Sequence, residues 1–305
     1  TLSGAITVTA GSIKLAETGT LGSTISMSGG TLDADNSLTV SGALTQSGAI
    51  TIDVADNKTL TYSGSAISLG ANTLTLSGGG TLSNTNALVL NHASSKLLLN
   101  SITVGSVSTS SNSLGLDVDN NSTVTSLSVA HITPVSIASG KTLSGAITVT
   151  AGSIKLAETG TLASSISMSG GVLDADNSST VSGTLTQAGN ITIDVADDKT
   201  LTYSGSAISL GANTLTLTGG GNLVSGGLTL NDPSSKLLLN SITVDNVSTS
   251  ANSLGLDVDN NSTITALSVA NITPVSIASG KTLLGGITVS AGSLKLNETG
   301  TLAST

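Results

Sequence analysis

The 305-residue sequence contains no cysteine, phenylalanine or tryptophan, has only two tyrosines, and draws all nine of its basic residues from lysine. Without cysteine the fold has no disulfide bridges, so its stability must come from packing and hydrogen bonds. Charged residues make up 9% of the chain, against about a quarter in an average protein. Serine, threonine, asparagine and glycine must therefore cover most of the surface.

The few charges are unbalanced, and the formal net charge is −9. Nucleic-acid binding needs clustered lysine and arginine, so this balance argues against a nucleic-acid partner and equally against an anionic membrane surface. No uninterrupted apolar stretch is long enough to span a bilayer, so we expect no membrane span in this sequence. An acidic, hydroxyl-rich coat favours a soluble protein in an extracellular or cell-surface setting.

A long repeat dominates the sequence. The phrase "TLSGAITVTAGSIKLAETGTL" covers residues 1–21, returns unchanged at residues 142–162, and appears again in altered form from Thr282. The repeat predicts one unit at residues 1–141, a second at 142–281, and the start of a third at 282–305. We expect the sequence to be a window from a longer repetitive polypeptide, with the units forming one continuous rod.

Each long repeat is divided into seven segments of about 20 residues, a period typical of solenoid proteins. In the first unit the segments begin at Thr1, Thr20, Leu38, Thr59, Thr81, Ile102 and Thr123. Within a segment, aliphatic residues alternate with small polar ones, and pairs such as Ala-Gly and Ser-Gly separate the alternating stretches. Alternation indicates strands with one buried face, and the separators are turn residues.

Three short strands in about 20 residues predict one rung of an all-β parallel β-helix, or β-solenoid. The general preference for right-handed crossover connections favours right-handed winding. Rungs stacked about 4.8 Å apart give a rise of about 34 Å per long repeat and about 70 Å for the whole sequence.

Phrases such as "SGKTLSGAITV", together with rungs of about 20 residues, Gly-Ser-Thr-Asn turns and no cysteine, resemble the repeat regions of a known class of surface proteins. The sequence is similar along its whole length to the β-solenoids of bacterial autotransporter passengers and filamentous-haemagglutinin-like adhesins. The resemblance implies a secreted scaffold, in which tips or inserted domains often do the binding. The near-identical long repeats depart from that pattern and favour a polymer or a very long fibre.

Acidic residues recur in pairs at the exit of the third strand. In the first unit the pairs are Asp33 with Asp35, Asp53 with Asp56, and Asp117 with Asp119; the second unit has Asp174 with Asp176, Asp194 with Asp197 and Asp198, and Asp257 with Asp259. Neighbouring rungs place such carboxylates close together. The Asp33, Asp35, Asp53 and Asp56 corners present oxygen ligands of the kind that Ca²⁺ prefers. We favour the simpler interpretation, that aspartate makes turns there, and predict no catalytic, cofactor or metal-binding residues.

The same carboxylate pairs raise the alternative of a polysaccharide-cleaving β-helix enzyme, which needs two carboxylates at a set separation. Arginine is absent and aromatic platforms are nearly so, which makes this the weakest hypothesis. His92 and His131 align with Asp232 and Asn271 of the second unit, so we interpret them as solvent-facing turn residues. We expect Tyr62 and Tyr203 to fill a wide point of the core.

One outward row of the second strands carries hydroxyl groups. It consists of Thr7, Ser26, Thr45, Ser68, Val89, Ser108 and Ser128. Flat threonine arrays can order water in ice-binding proteins, but here serine and threonine mix and Val89 interrupts; a solvated face or an O-glycan site is the alternative. Leu98 and Leu238 have the outward phase and are candidates for contacts between copies.

These observations favour a structural extracellular protein that acts as the backbone of a surface filament or the shaft of a giant repetitive adhesin. Self-association into fibres, with possible glycans, is the expected partnership. A binding module with an adhesive or ice-binding face is the alternative, and a cleaving enzyme is the least favoured.

Overall fold

The computed structural model describes residues 4–303, and all of its regular secondary structure is β-strand. The chain forms two compact units. The first runs to residue 148 and adds 152–154 and 160–164; the second consists of 149–151, 155–159 and the residues from 165 onward.

The strands β1 to β19 are, in order, Ile6–Val8, Ser12–Leu15, Thr20–Leu21, Ile25–Met27, Thr31–Ala34, Leu38–Val40, Leu44–Gln46, Ile50–Val54, Thr59–Tyr62, Ile67–Ser68, Thr73–Ser77, Thr81–Asn84, Leu88–Leu90, Lys96–Leu99, Thr103–Thr109, Gly115–Val118, Ser122–Val129, Ile132–Ile137 and Thr142–Val149. The strands β20 to β39 are Ser153–Leu156, Thr161–Leu162, Ser165–Met168, Val172–Ala175, Ser179–Val181, Leu185–Gln187, Ile191–Val195, Thr200–Tyr203, Ile208–Ser209, Thr214–Thr218, Asn222–Val224, Leu228–Leu230, Lys236–Asn240, Thr243–Thr249, Gly255–Val258, Ser262–Val269, Ile272–Ile277, Thr282–Val289, Ser293–Leu296 and Thr301–Ala303.

The predicted parallel β-solenoid is confirmed, with about 15 turns of about 20 residues each. Each turn contributes a first, a second and a third strand, and strands of one kind stack in parallel to form three sheets. In the first unit, the third sheet runs β2-β5-β8-β11-β14-β16-β18, and the first sheet contains β3, β6, β9 and β12. The long strand β15 belongs to both the first and the second sheet, because it pairs with β12 and with β13. The long strand β17 continues both sheets, because it pairs with β15.

The core consists of the inward aliphatic residue of each alternating pair. In β11, for example, Leu74 and Leu76 are fully buried while Thr73, Thr75 and Ser77 between and beside them stay half-exposed. Parallel register places each inward side chain above its equivalent one turn away, so Leu74 lies over Ile50 and Leu97. The alternation in sequence therefore becomes continuous apolar columns inside the solenoid.

The register corrects the predicted segment starts by one to two residues. Thr59, Thr81, Thr103 and Thr123 occupy equivalent positions in successive turns, so the segment predicted to start at Ile102 starts one residue later. Thr20 pairs with Thr39, and Thr39 pairs with Thr61. Thr20 is therefore equivalent to Thr61, which lies two residues after the predicted segment start at Thr59. Thr-Leu-like dipeptides, which begin most of the predicted segments, do not all occupy the same position in a turn.

Two glycines allow an unusually close approach between turns. Gly115 has a φ of +81°, and a Cβ atom there would lie 1.8 Å from the carbonyl oxygen of Pro134 in the next turn. Gly255 repeats the arrangement against Pro274. Proline inside a sheet has no N–H group to donate to the hydrogen-bond ladder. The glycine opposite it has no side chain, so the two backbones can lie in close contact.

The corner between the first and second strands absorbs the one-residue difference between the units. Thr81 pairs with Thr103 across 22 positions, whereas Asn222 pairs with Thr243 across 21; beyond the corner, Leu88 with Val107 and Leu228 with Val247 are again equally spaced. The one-residue difference between the repeats therefore falls at a corner.

Candidate functional surfaces

The charged residues are confined to one side of the turn. Of the nine lysines and 18 acidic residues, all but Asp232 and Asp245 lie on third strands or in the corner that follows them. In the first unit, the described strands of the first and second sheets carry no charged side chain at all. The first unit thus has a charged third-strand face and an uncharged remainder covered by hydroxyl groups, whereas Asp232 and Asp245 add charge to the remainder of the second unit.

Two of the three acidic pairs of the first unit contribute to a row that begins with a lysine. Lys14, Asp33 and Asp53 follow one another in register on β2, β5 and β8, so the predicted proximity of carboxylates from neighbouring rungs is confirmed. Lys14 Nζ lies 2.8 Å from Asp35 Oδ2 and 3.8 Å from Asp33 Oδ2. The hydrogen bond to Asp35, with the charges of both carboxylates, raises the pKa of Lys14.

The second unit repeats this row with tighter burial. Lys155 Nζ lies 2.7 Å from Asp176 Oδ2 and 3.5 Å from Asp174 Oδ2, and Asp194 is the register neighbour of Asp174. Burial raises the pKa of Asp174 even though Lys155 acts in the opposite direction. Burial, followed by the nearby charge of Asp176, also raises the pKa of Asp194. The lysine therefore compensates only part of the cost of stacking carboxylates.

The pair Asp117 with Asp119 behaves differently, because Asp117 stacks between Leu98 and Ser136 and not on another carboxylate. Lys96 Nζ lies 2.7 Å from Asp117 Oδ2, and Lys236 repeats the contact with Asp257 at 2.9 Å. The lysine partners were not predicted, since each comes from the preceding turn.

Within residues 4–303, no group of three or more histidine or acidic side chains is arranged to hold a metal ion. The Asp33, Asp35, Asp53 and Asp56 corners therefore gain no geometric support as a Ca²⁺ site. Asp35 and Asp56 lie in the corner after the third strand, as the turn interpretation predicted, whereas Asp33 and Asp53 lie within β5 and β8, which corrects that interpretation for these two residues.

His92 is exposed and holds a turn together, as predicted. Its Nδ1 atom accepts a hydrogen bond from the backbone N–H of Ser94 at 3.0 Å, and Asp232 Oδ1 accepts the equivalent bond from Ser234 at 2.8 Å. The buried Ser95 hydroxyl accepts from the His92 N–H and donates to the Gly70 carbonyl. Histidine and aspartate are interchangeable here because either supplies an acceptor two residues before the donor.

His131 also lies in a turn, but it is half-buried and not solvent-facing, which corrects the prediction in part. Its carbonyl accepts a hydrogen bond from the Thr133 hydroxyl, and Gly152 of the next turn approaches its backbone closely. The equivalent Asn271 is half-buried as well.

Tyr62 and Tyr203 are buried, with 2% and 3% of their surface exposed, as expected for core-filling residues. Each phenol also makes a specific contact that the sequence did not indicate. The Tyr62 hydroxyl accepts a hydrogen bond from the Leu44 N–H, and the Tyr203 hydroxyl accepts one from the Leu185 N–H, both at 2.9 Å. The tyrosines therefore satisfy a buried backbone donor in each unit.

The predicted hydroxyl row on the second strands is confirmed wherever the register is defined, from Thr7 to Ser26 to Thr45 and from Ser68 to Val89 to Ser108 to Ser128. The second unit has Thr229 where the first has Val89, so its row keeps a hydroxyl at that position. The Thr229 and Ser248 hydroxyls lie 3.2 Å apart.

A more regular row on the first sheet was missed. Thr59, Thr81, Thr103 and Thr123 stack in register through four consecutive turns, all half-exposed and pointing outward. A parallel row beside it contains Thr39, Thr61 and Ser83. The four threonines recur in the sequence, but a segment start predicted at Ile102 instead of Thr103 gave Thr103 a different position in its turn from Thr59, Thr81 and Thr123.

Shallow grooves follow the corner beside this row. In the first unit, a groove of about 560 Å³ is lined by hydroxyl, amide and backbone groups, including Ser101, Thr103, Asn121 and Thr123. The second unit has a smaller groove of about 240 Å³ at the equivalent residues. Neither groove contains a charged lining residue.

Leu98 and Leu238 have the predicted outward phase but are only half-exposed. The most exposed aliphatic residues of the central turns are Leu114 and Leu254, at 56% and 57%, with Ile132 and Ile272 of the following turn at 46% and 50%. They lie where a turn enters its third strand, so the alternating pattern did not reveal them.

No helix within residues 4–303 has the length and apolar character needed to cross a bilayer. Comparison with protein-family models, with curated proteins and with solved structures finds no significant match. The structure shows the parallel β-solenoid fold, and the comparisons identify no family.

Proposed function

We propose that the chain is a structural extracellular protein, either the backbone of a surface filament or the shaft of a giant repetitive adhesin of the autotransporter or filamentous-haemagglutinin type. The observation that carries the proposal is the stacking of equivalent residues in successive turns, as in the Thr59, Thr81, Thr103 and Thr123 positions. Because each turn repeats the arrangement of the preceding turn, further turns add length to the protein and do not create a new active site.

The interior of each unit supports the same proposal. Its aliphatic columns are almost completely excluded from solvent, and backbone hydrogen bonds of 2.7–3.5 Å join neighbouring turns at strand ends and corners, such as Asp35 to Leu15 and Ile25 to Ala43. A turn of this size cannot bury its apolar face alone, so stability comes from the stack. A ladder of this kind resists bending and stretching, which is what a shaft requires.

The side chains that an enzyme would use are engaged in the architecture. Asp33 and Asp174, the carboxylates that an enzymatic hypothesis would invoke, lie within ion-pair distance of Lys14 and Lys155. Their recurrence at the same position of both units supports a structural role.

Electron microscopy of native material tests the proposal. We expect thin, unbranched fibres or stalks with an axial repeat of about 34 Å, which corresponds to seven turns spaced by the interstrand distance. Native material consisting of globular particles without an extended solenoid would refute it. Turnover of acidic polysaccharides that disappears in an Asp33→Ala/Asp174→Ala variant would instead support the enzymatic alternative.

A further inference from the structure

The absence of charge from the first and second sheets of the first unit needs an explanation beyond a supporting role. Every described charged residue of that unit lies on third strands or in the corner after them, although charge on any outward face would aid solubility. The outward side chains of its first strands, which we call the neutral face, are instead threonine, serine and glycine; its central members are Thr59, Thr61, Thr81, Ser83, Thr103 and Thr123.

The neutral face is also regular along the stack of turns, and a shorter row of Thr39, Thr61 and Ser83 runs beside the threonine row. Thr59, Thr81, Thr103 and Thr123 repeat at the interstrand spacing, about 4.8 Å, and Thr61 stands two residues from Thr59, about 7 Å along the strand. The hydrogen-bond ladder fixes both spacings. Threonine is β-branched and stiff at χ1, so its hydroxyl and methyl groups are held in place before any ligand arrives.

We propose that the neutral face binds ice, that is, an ordered lattice of water. A periodic ligand is recognised best by a periodic array whose groups are already ordered, because little side-chain entropy is then lost on binding. Charged groups would impose their own hydration on the contact, and the face has none. The methyl group of each threonine supplies apolar contact, and the hydroxyl can both donate and accept hydrogen bonds, as water does.

Other classes of ligand fit the face less well. Nucleic acid and anionic lipid need a basic surface, which the face lacks. A neutral polysaccharide would match the hydroxyl chemistry, but both tyrosines are buried in the core, so no aromatic side chain is available to stack on a sugar ring. A second copy of the chain would have to desolvate rows of hydroxyl groups in exchange for hydrogen bonds of similar strength.

The two units differ in a way that sharpens the proposal. In the second unit the equivalent row is Thr200, Asn222, Thr243 and Thr263, and Asp245 adds a charge two residues from Thr243. Asparagine and aspartate break both the regularity and the neutrality of the face. The first unit therefore provides most of the binding, and this inference does not depend on the proposed role in a filament.

The experiment measures thermal hysteresis and inhibition of ice recrystallisation with the 305-residue chain and three variants. Thr81→Lys/Thr103→Lys places charges in the neutral face. Thr51→Lys/Thr75→Lys is the matched control, because these threonines are equally half-exposed and stack in register on the third sheet. Thr243→Lys alters the interrupted row of the second unit. Circular dichroism and melting temperature establish that each variant is folded.

We expect the unaltered chain to separate freezing from melting and to arrest recrystallisation, the Thr81→Lys/Thr103→Lys variant to lose both effects, and the other two variants to keep most of them. Absence of both effects in the unaltered chain overturns the proposal, as does equal loss in the third-sheet control. If the neutral-face variant changes only the sedimentation of the chain, or only its retention on an insoluble neutral polysaccharide, the face belongs to a self-contact or to a sugar and the ice assignment is wrong.

Discussion

Replacing Tyr62 by phenylalanine tests whether the tyrosine is placed for its hydroxyl group as well as for its bulk. The ring is buried, and its oxygen accepts a hydrogen bond from the Leu44 N–H at the start of β7. Phenylalanine keeps the packing volume but leaves that donor unpaired in a site where Leu44 itself is 3% exposed. An unsatisfied buried donor costs about 1–3 kcal/mol, so we expect the free energy of unfolding to fall by that amount.

Two measurements check this expectation. Hydrogen exchange at the Leu44 amide should accelerate by roughly 5- to 140-fold, because about 1.4 kcal/mol corresponds to a factor of ten. Since the chain has no tryptophan, the Tyr62→Phe variant leaves Tyr203 as its single tyrosine and main fluorophore, and the Tyr203→Phe variant does the reverse. The remaining tyrosine of each variant thus reports the unfolding of the unaltered unit, while hydrogen exchange follows the loss of stability in the altered unit.

The outward neighbour Thr61 supplies the control, because Thr61→Ala removes a half-exposed side chain and should change stability by no more than about 0.5 kcal/mol. A Tyr62→Phe variant with unchanged exchange at Leu44 and unchanged stability would show that the phenol contact is incidental.

Three further predictions concern the turns and the charged face. Burial raises the pKa of Asp194 above its ordinary value of 3.8, so the folded state holds this proton more tightly than the unfolded state. The free energy of unfolding should therefore fall as the pH rises from about 3.8 through the raised pKa. Urea titrations at several pH values should show a weaker pH dependence of stability in the Asp194→Asn variant. Gly115→Ala should cost about 1–3 kcal/mol from its positive φ alone, and more from collision with the Pro134 carbonyl, in the same titrations. Gly105→Asp should destabilise the first unit by about 1–3 kcal/mol, because a Cβ atom there would lie 2.5 Å from Asn84 Oδ1. Adding Asn84→Ser should recover most of that loss, since the second unit already combines serine and aspartate at this corner. A double variant as unstable as Gly105→Asp alone would refute the coupling.

The architecture could be predicted because both of its determinants are local. Alternation fixes which residues face inward, and Gly, Ser and Asn fix where each strand ends, so the stacking of Leu74 on equivalent residues follows from a period of about 20. The hydroxyl row through Ser108 and Ser128 was predicted for the same reason.

What depends on exact register was harder to predict. An error of one residue at Ile102 was enough to hide the threonine row, because register partners in successive turns are separated by 19 to 24 positions. The Lys14 ion pairs and the Tyr62 hydrogen bond join groups from different turns, and no pattern within one segment specifies them. Leu114 was missed because alternation stops at a corner.

The corner that tolerates a missing residue gives the solenoid a practical property. Residues 83–87 join Leu82 to Leu88 in the first unit, whereas only residues 224–227 join Leu223 to Leu228 in the second, and the flanking leucines keep equivalent partners in both units. A foreign peptide inserted there would be displayed on the outside of the coil without shifting any stacked column. The same corner in each repeat would carry its own copy, so one gene built from such units could present an epitope or an affinity tag at regular intervals.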